Sequence, residues 1–208
     1  MQERIEKFHI LLQNQWNFDE KGFLVGISRK CKRVVTLAQL LAKQLLGASQ
    51  DGNREFITLI PAINVLKLHI PPALIYQSDS GTLMSTWLDD YDDQDLTAYF
   101  GTSEKGWSND NMGIYWLQYV FDRHTKPMAG LHRRLLIVDG HNSHVNMRFI
   151  NYCDQSRIVL AILPPHSTHR LQPLDVSVFG PLSDYYSQEI NRFIANAQGL
   201  VSISKRHF

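Results

Sequence analysis

Three aspartates are the residues best suited to chemistry in this chain, and each stands where a regular segment breaks off. Asp139 follows the apolar run Leu-Leu-Ile-Val at residues 135–138 and precedes Gly140. A short apolar run closed by a turn signal reads as a strand buried on both faces, and open α/β sheets place their ligand crevices at such carboxyl ends. A carboxylate there is a metal or substrate ligand, or it caps the next helix; alone, Asp139 fits both. Asp19 lies in residues 15–25, where aromatics alternate with polar residues. That pattern predicts a strand carrying Asp19 and a second extended piece through Phe23 to Val25. Acids are poor strand formers, so Asp19 conflicts with its surroundings, as functional residues often do. A hairpin turn over residues 19–22 explains the same residues equally well. Asp175 is the third acid, at the head of a predicted last helix that runs to about Gln198.

Three carboxylates brought together repel one another strongly. A pair of divalent cations converts that repulsion into attraction, which gives such a cluster a reason to exist. If the first and fourth strands of a mixed sheet are neighbours, Asp19 and Asp139 stand side by side. A helix packed over that face then delivers Asp175.

Two further groups of residues carry charge in a pattern. Arg29, Lys30, Lys32 and Arg33 fall within five positions; such a cluster grips phosphates or simply solvates a loop. Asp89, Asp90, Asp92, Asp93 and Asp95 form an acidic run that lacks the glycine and the closing acid of a helix-loop-helix calcium loop, so it reads as an exposed insertion.

The elements that must position the acids follow from periodicity. Residues 1–15 show Ile5, Phe8, Leu11 and Leu12 at helical spacing, and residues 34–47 show Leu37, Leu40, Leu41 and Leu45 on one helical face before Gly47. Residues 55–66 are rich in β-formers, and Pro61 inside them suits an edge or a bulge. Ile70 to Tyr76 supplies the partner strand, and residues 78–106 carry the weakest pattern in the chain. Residues 108–124 read as a helix capped by Ser108 or Asn109, with Ile114, Trp116, Leu117, Val120 and Phe121 inward and a loop at residues 127–130. Residues 145–154 form another helix, burying Met147, Phe149 and Ile150. The apolar run at residues 158–163 stops at Pro164-Pro165 and completes a right-handed parallel βαβ unit with the Asp139 strand. The fold class this defines is α/β, a mixed five-stranded sheet flanked by helices, in one domain over the 208 residues.

Composition narrows the function classes. Hydrophobic residues make up 44% and charged residues 20%, and 21 Lys and Arg against 20 Asp and Glu leave a net charge of +1. Any nucleic-acid contact must therefore be local. No run of 18 apolar residues is present, so no membrane span is expected. The two cysteines, Cys31 and Cys153, sit in no paired or metal-ligand spacing, which predicts a reduced, intracellular setting. No signal peptide is expected at the N-terminus.

Several ordered motifs resemble one known family. They are Asn17-Phe18-Asp19-Glu20-Lys21-Gly22-Phe23, Gln50 to Glu55 (Gln-Asp-Gly-Asn-Arg-Glu), Pro71 to Tyr76, Gly106-Trp107, Val138 to His144 (Val-Asp-Gly-His-Asn-Ser-His), Leu163 to His169 (Leu-Pro-Pro-His-Ser-Thr-His), and Leu171-Gln172-Pro173-Leu174-Asp175. Together they resemble the DDE-type transposases of the pogo group (Tc1/mariner), in their fungal-like form, over about residues 15–190. The resemblance implies an RNase H-like catalytic domain with Asp19, Asp139 and Asp175 as catalytic and metal-binding triad. It implies cleavage of DNA phosphodiesters and strand transfer with two Mg²⁺ ions, Mn²⁺ substituting. Arg29, Lys30, Lys32, Arg33, His141, His144, His166 and His169 become candidate DNA contacts. The implied partners are transposon ends and target DNA, in the nucleus, with homodimerisation left open. Asn64 to His69 departs from the family's Ala-Asp-Gly-like turn, which predicts a distorted hairpin, and the N-terminal helix-turn-helix region of the family is not in this sequence. Three readings compete: a domesticated or decayed copy that binds nucleic acid without cutting it, an RNase H-like nuclease acting on RNA, and a zinc site built from the two His-x-x-His pairs. The intact triad favours the DNA nuclease over the first, the loop motifs favour it over the second, and the family pattern carries both histidine pairs without zinc.

Overall fold

The computed structural model describes residues 1–25, 55–92, 94, 97–106, 109–139, 146–164, 172–196 and 203–208. The chain opens with α1 (Gln2–Lys7) and then enters the sheet through β1 (Gln15–Phe18) and β2 (Lys21–Leu24). β3 (Phe56–Ile60), β4 (Ala62–Asn64), β5 (Ala73–Gln77) and β6 (Tyr99–Ser103) follow. Next come α2 (Asp110–Trp116), a π-helical stretch Leu117–Asp122, and α3 (Arg123–Ala129). β7 (Arg134–Val138), α4 (Met147–Gln155), β8 (Ile158–Ile162), α5 (Pro173–Ser177) and α6 (Phe179–Asn196) complete the order.

Among the described residues the strands form two four-stranded ladders, β4-β1-β7-β8 and β2-β3-β5-β6. The registers show that the two ladders are one bent sheet. Trp16 pairs with Asn64 and Lys21 with Leu59, so the paired residue numbers add to 80 in both ladders. β1 and β2 are thus successive parts of one long strand, and β3 and β4 of its antiparallel partner. The same register sets Asp19 opposite Pro61. A proline has no N–H to donate, so the ladder opens at that point. Pro61 falls between β3 and β4, outside both ladders, and makes the break at which Asp19 sits, in keeping with the edge or bulge expected there. The alternative hairpin turn over residues 19–22 is not formed, because the chain runs straight on into β2.

Joining the broken strands gives six, one more than the five expected. The extra strand is β6, which pairs in parallel with β5, from Ala73 with Tyr99 to Gln77 with Ser103. It falls in the stretch whose sequence pattern was weakest. Asp89, Asp90 and Asp92 of the acidic run are exposed, as expected, while beside them Trp87 stacks on Tyr76 at 5.5 Å and Leu83, Leu88 and Phe100 pack around Val25 and Ile57. The Asn64 turn closes on its own side chain and on a left-handed residue. Its Oδ1 accepts from the Leu66 and Leu68 N–H groups, and Lys67 takes the positive φ of +63°.

Strand alternation divides the side chains of β1 between two layers. Trp16 and Phe18 face the main core with Trp116, Leu117, Val120 and Phe121, and Phe18 lies 4.3 Å from the Trp116 ring. Gln15, Asn17 and Asp19 point to the opposite layer. On β7, Leu136 and Val138 share the face of Trp16, while Leu135 and Ile137 share that of Asn17.

The helices differ from expectation at their ends. α1 stops at Lys7 and leaves Leu11 and Leu12 exposed, with His9 at φ +49°. α3 continues through Pro127 to Ala129, where a loop was expected. α4 buries Phe149 and Cys153, whereas Met147 is exposed. The final helix is two, with Asp175 in the short first piece. The helix expected at residues 34–47 lies outside the described residues, as does Cys31.

Candidate active site

The site is assembled by the two central strands. β1 and β7 run parallel, with Gln15 beside Leu135 and Asn17 beside Ile137. Continuing that register places Asp19 beside Asp139, on the same face of neighbouring strands about 4.8 Å apart. Both residues follow the last paired residue of their strand, at the carboxyl edge where the sheet opens. Asp19 is 8% exposed and accepts the Glu20 backbone N–H at 2.8 Å; Asp139 is half-buried and Asp175 exposed.

Asp175 reaches this edge from α5. Asn17 lies on the same face, two residues before Asp19, and its Oδ1 accepts the Leu174 N–H at 3.1 Å. Its Nδ2 donates to the Ile137 carbonyl at 3.2 Å. Gln172 Nε2 donates to the Phe18 carbonyl at 3.1 Å, and Leu174 is fully buried beneath α5. Asp139 and Asp175 thus lie near enough to Asp19 for their charges to bear on it.

Their proximity shows in the acidity of Asp19. Burial pushes its carboxyl up to about 7; the Glu20 N–H opposes this, and the charges of Asp175 and Asp139 add to it. A half-desolvated carboxylate facing two others is poised to accept a cation. The donor set is all oxygen, which suits Mg²⁺ or Mn²⁺ rather than a soft ion. Among the described residues no three acids, histidines or cysteines are grouped so that they could hold a metal ion together; a hard divalent ion takes one or two carboxylates and fills its shell with water and phosphate oxygens. The expected contacts Arg29, Lys30, Lys32, Arg33, His141, His144, His166 and His169 lie outside the described residues, so the histidine zinc alternative also falls there.

Asn17 and Gln172 stand inside the sequence motifs, yet sequence reasoning gave them no role. The available signal was Asn17 itself, a buried amide between two aromatics in a strand. At the opposite end of β7 a second polar cluster is purely internal. Arg134, 2% exposed, pairs with Asp122 at 2.7 Å, donates to Thr125 Oγ1 at 3.0 Å and to the Ser156 carbonyl, and Tyr152 donates to Asp122 at 3.2 Å.

Comparisons with known proteins place the family and the fold. Residues 53–206 match the family model of the DDE superfamily endonucleases. The chain belongs to the DDE superfamily endonucleases. Its fold is that of the Mos1 mariner transposase: it superposes on the Mos1 paired-end complex with Mn with a TM-score of 0.58 at 12% identity, covering 99% of this chain and 53% of that one. The Mos1 paired-end complex with the left transposon end gives a TM-score of 0.54 at 13% identity over the same shares. A curated relative, "MFS-type transporter clz9" of Cochliobolus lunatus, is 34% identical over 193 residues, 91% of this chain and 20% of that protein. The chain thus spans a fifth of that relative and about half of the Mos1 chains. Among the described residues no helix is long and apolar enough to cross a membrane.

Proposed function

We propose that this chain is a pogo-type DDE transposase domain that cleaves DNA phosphodiester bonds with bound Mg²⁺, Mn²⁺ substituting. The observation that carries the reading is the β1–β7 register, which aligns Asp19 with Asp139 while α5 brings Asp175 to bear on Asp19. The Mos1 structures add support, since one contains Mn and another a transposon end.

Asp19, Asp139 and Asp175 would hold the ions, and bound there the ions would supply activation of the attacking water and stabilisation of the leaving 3′-oxygen. The chain's own part is to keep two carboxylates at a rigid sheet edge and a third on α5 docked against it, so that little reorganisation is needed when DNA arrives. In strand transfer a DNA 3′-hydroxyl takes the place of water as nucleophile. The partners proposed are transposon ends and target DNA, and the setting is the nucleus.

The test is nicking of supercoiled plasmid by the wild type beside Asp139→Asn, with Mg²⁺ or Mn²⁺ supplied. Metal-dependent nicking that drops at least a thousandfold in the variant supports the reading. Equal nicking by both proteins, or none by either with both metals, contradicts it.

A further inference from the structure

Helix α5 has five residues, too few to hold itself together. The first hydrogen-bonded turn fixes several backbone angles for a single bond, so helices this short depend on what they dock against. Gln172 occupies the N-cap position but supplies no side-chain cap. The first-turn N–H of Leu174 is satisfied from elsewhere, by Asn17 Oδ1 at 3.1 Å, from a strand 157 residues earlier in the chain. The other end of the same amide holds the Ile137 carbonyl at 3.2 Å. Asn17 is 3% exposed, so water does not compete for either bond.

The three bonded positions have a common property. Asn17 stands two residues before Asp19, Ile137 two before Asp139, and Leu174 one before Asp175. We infer that Asn17 is the positioning residue of the site, a cap supplied by β1 that fixes α5 and β7 at once and so sets the spacing of all three carboxylates. The inference rests on the nuclease reading above and deepens it.

Only a short side chain with one acceptor and one donor fills this position. Aspartate keeps the acceptor but sets an oxygen against the Ile137 carbonyl, and alanine removes both bonds. Gln172 plays a supporting part, since its Nε2 ties the residue before α5 to the Phe18 carbonyl.

The test uses Asn17→Ala, with Gln172→Ala as a second variant that loosens the same helix without touching Asn17. Hydrogen exchange of the metal-free full chain reads the Leu174, Val176 and Val178 amides against those of β7 and α6. Mn²⁺ titration by calorimetry reads the carboxylates. The expected result is exchange at those α5 amides at least tenfold faster, with β7 and α6 unchanged, together with at least tenfold weaker Mn²⁺ binding in Asn17→Ala. Gln172→Ala shifts both readouts in the same direction by less, and it decides the matter should Asn17→Ala fail to fold. Unchanged α5 exchange, or unchanged Mn²⁺ affinity in a folded variant, overturns the inference and leaves the nuclease reading standing. A wild type that binds no Mn²⁺ overturns the nuclease reading, and the positioning role with it.

Discussion

Asp19 is where burial and like charge act together, and its acidity makes a measurable statement about stability. A carboxyl raised from 3.8 to about 7 in the folded chain keeps its proton where the unfolded chain has lost its own. Between those values the native state binds more protons, so this group's contribution to stability is complete below pH 4 and disappears as pH rises through 7. At 1.36 kcal/mol per unit the ceiling is roughly 4 kcal/mol, lowered by whatever water reaches the site. The metal-free Asp19→Asn variant should therefore gain stability over the wild type as pH rises from 4 to 8, by up to a few kcal/mol, with little difference at pH 4. Paired urea denaturation curves measure this; a difference that stays constant with pH would show that Asp19 ionises normally.

At the scale of elements, the two polar clusters of β7 do different work. Arg134 begins the strand and closes a buried network with Asp122, Thr125, Tyr152 and Ser156. The π-helical stretch ends on Asp122, so the network also joins that helix to the strand. Replacing Arg134 with Met leaves the Asp122 carboxylate buried without its principal partner, which should cost about 3–5 kcal/mol. Adding Asp122→Asn should recover part of that loss. Mn²⁺ affinity should be unchanged in either variant, because the cluster lies at the far end of the strand from Asp139. A large loss of affinity would mean that the sheet transmits strain from one end to the other.

The elements also show what could be read from the sequence alone. The strand carrying Asp139, the parallel unit it makes with β8 and the inner face of α2 were legible, because each is a long periodic pattern with a clear stop. The six-stranded count was not. β6 is a Tyr-Phe-Gly-Thr-Ser segment stabilised by pairing with β5 and by Trp87, Leu88 and Tyr91 around Phe100, all interactions of tertiary origin. The division of the last helix also escaped. Gly180-Pro181 follows the break between Ser177 and Phe179, and Pro181 has no N–H to give the Ser177 carbonyl, so the signal for two helices was in the sequence and was passed over. The three acids proposed as the triad stood out in the sequence as acids at segment ends, but Asn17 did not, since the partners of its amide lie 120 and 157 residues away.

Over these 208 residues the net charge is +1, so the DNA binding proposed above would have to come from a local patch, for which Arg29, Lys30, Lys32 and Arg33 are the proposed source. Changing all four to alanine should weaken binding uniformly across DNA sequences. It should also flatten the salt dependence by about 0.9 in log–log slope for each phosphate that is no longer neutralised. Fluorescence anisotropy at several salt concentrations checks this, and an unchanged slope would remove the patch from the interface.

The central claim is that two carboxylates at the sheet edge and a third on α5 form a hard-metal site, and the most direct test is Mn²⁺ titration of the wild type beside Asp19→Asn, Asp139→Asn and Asp175→Asn. Saturable binding is predicted for the wild type. It should strengthen from pH 6 to 7.5 as Asp19 gives up its proton, and it should weaken at least tenfold in each variant. Wild-type binding that none of the three substitutions alters, or no binding at any pH, would contradict the account.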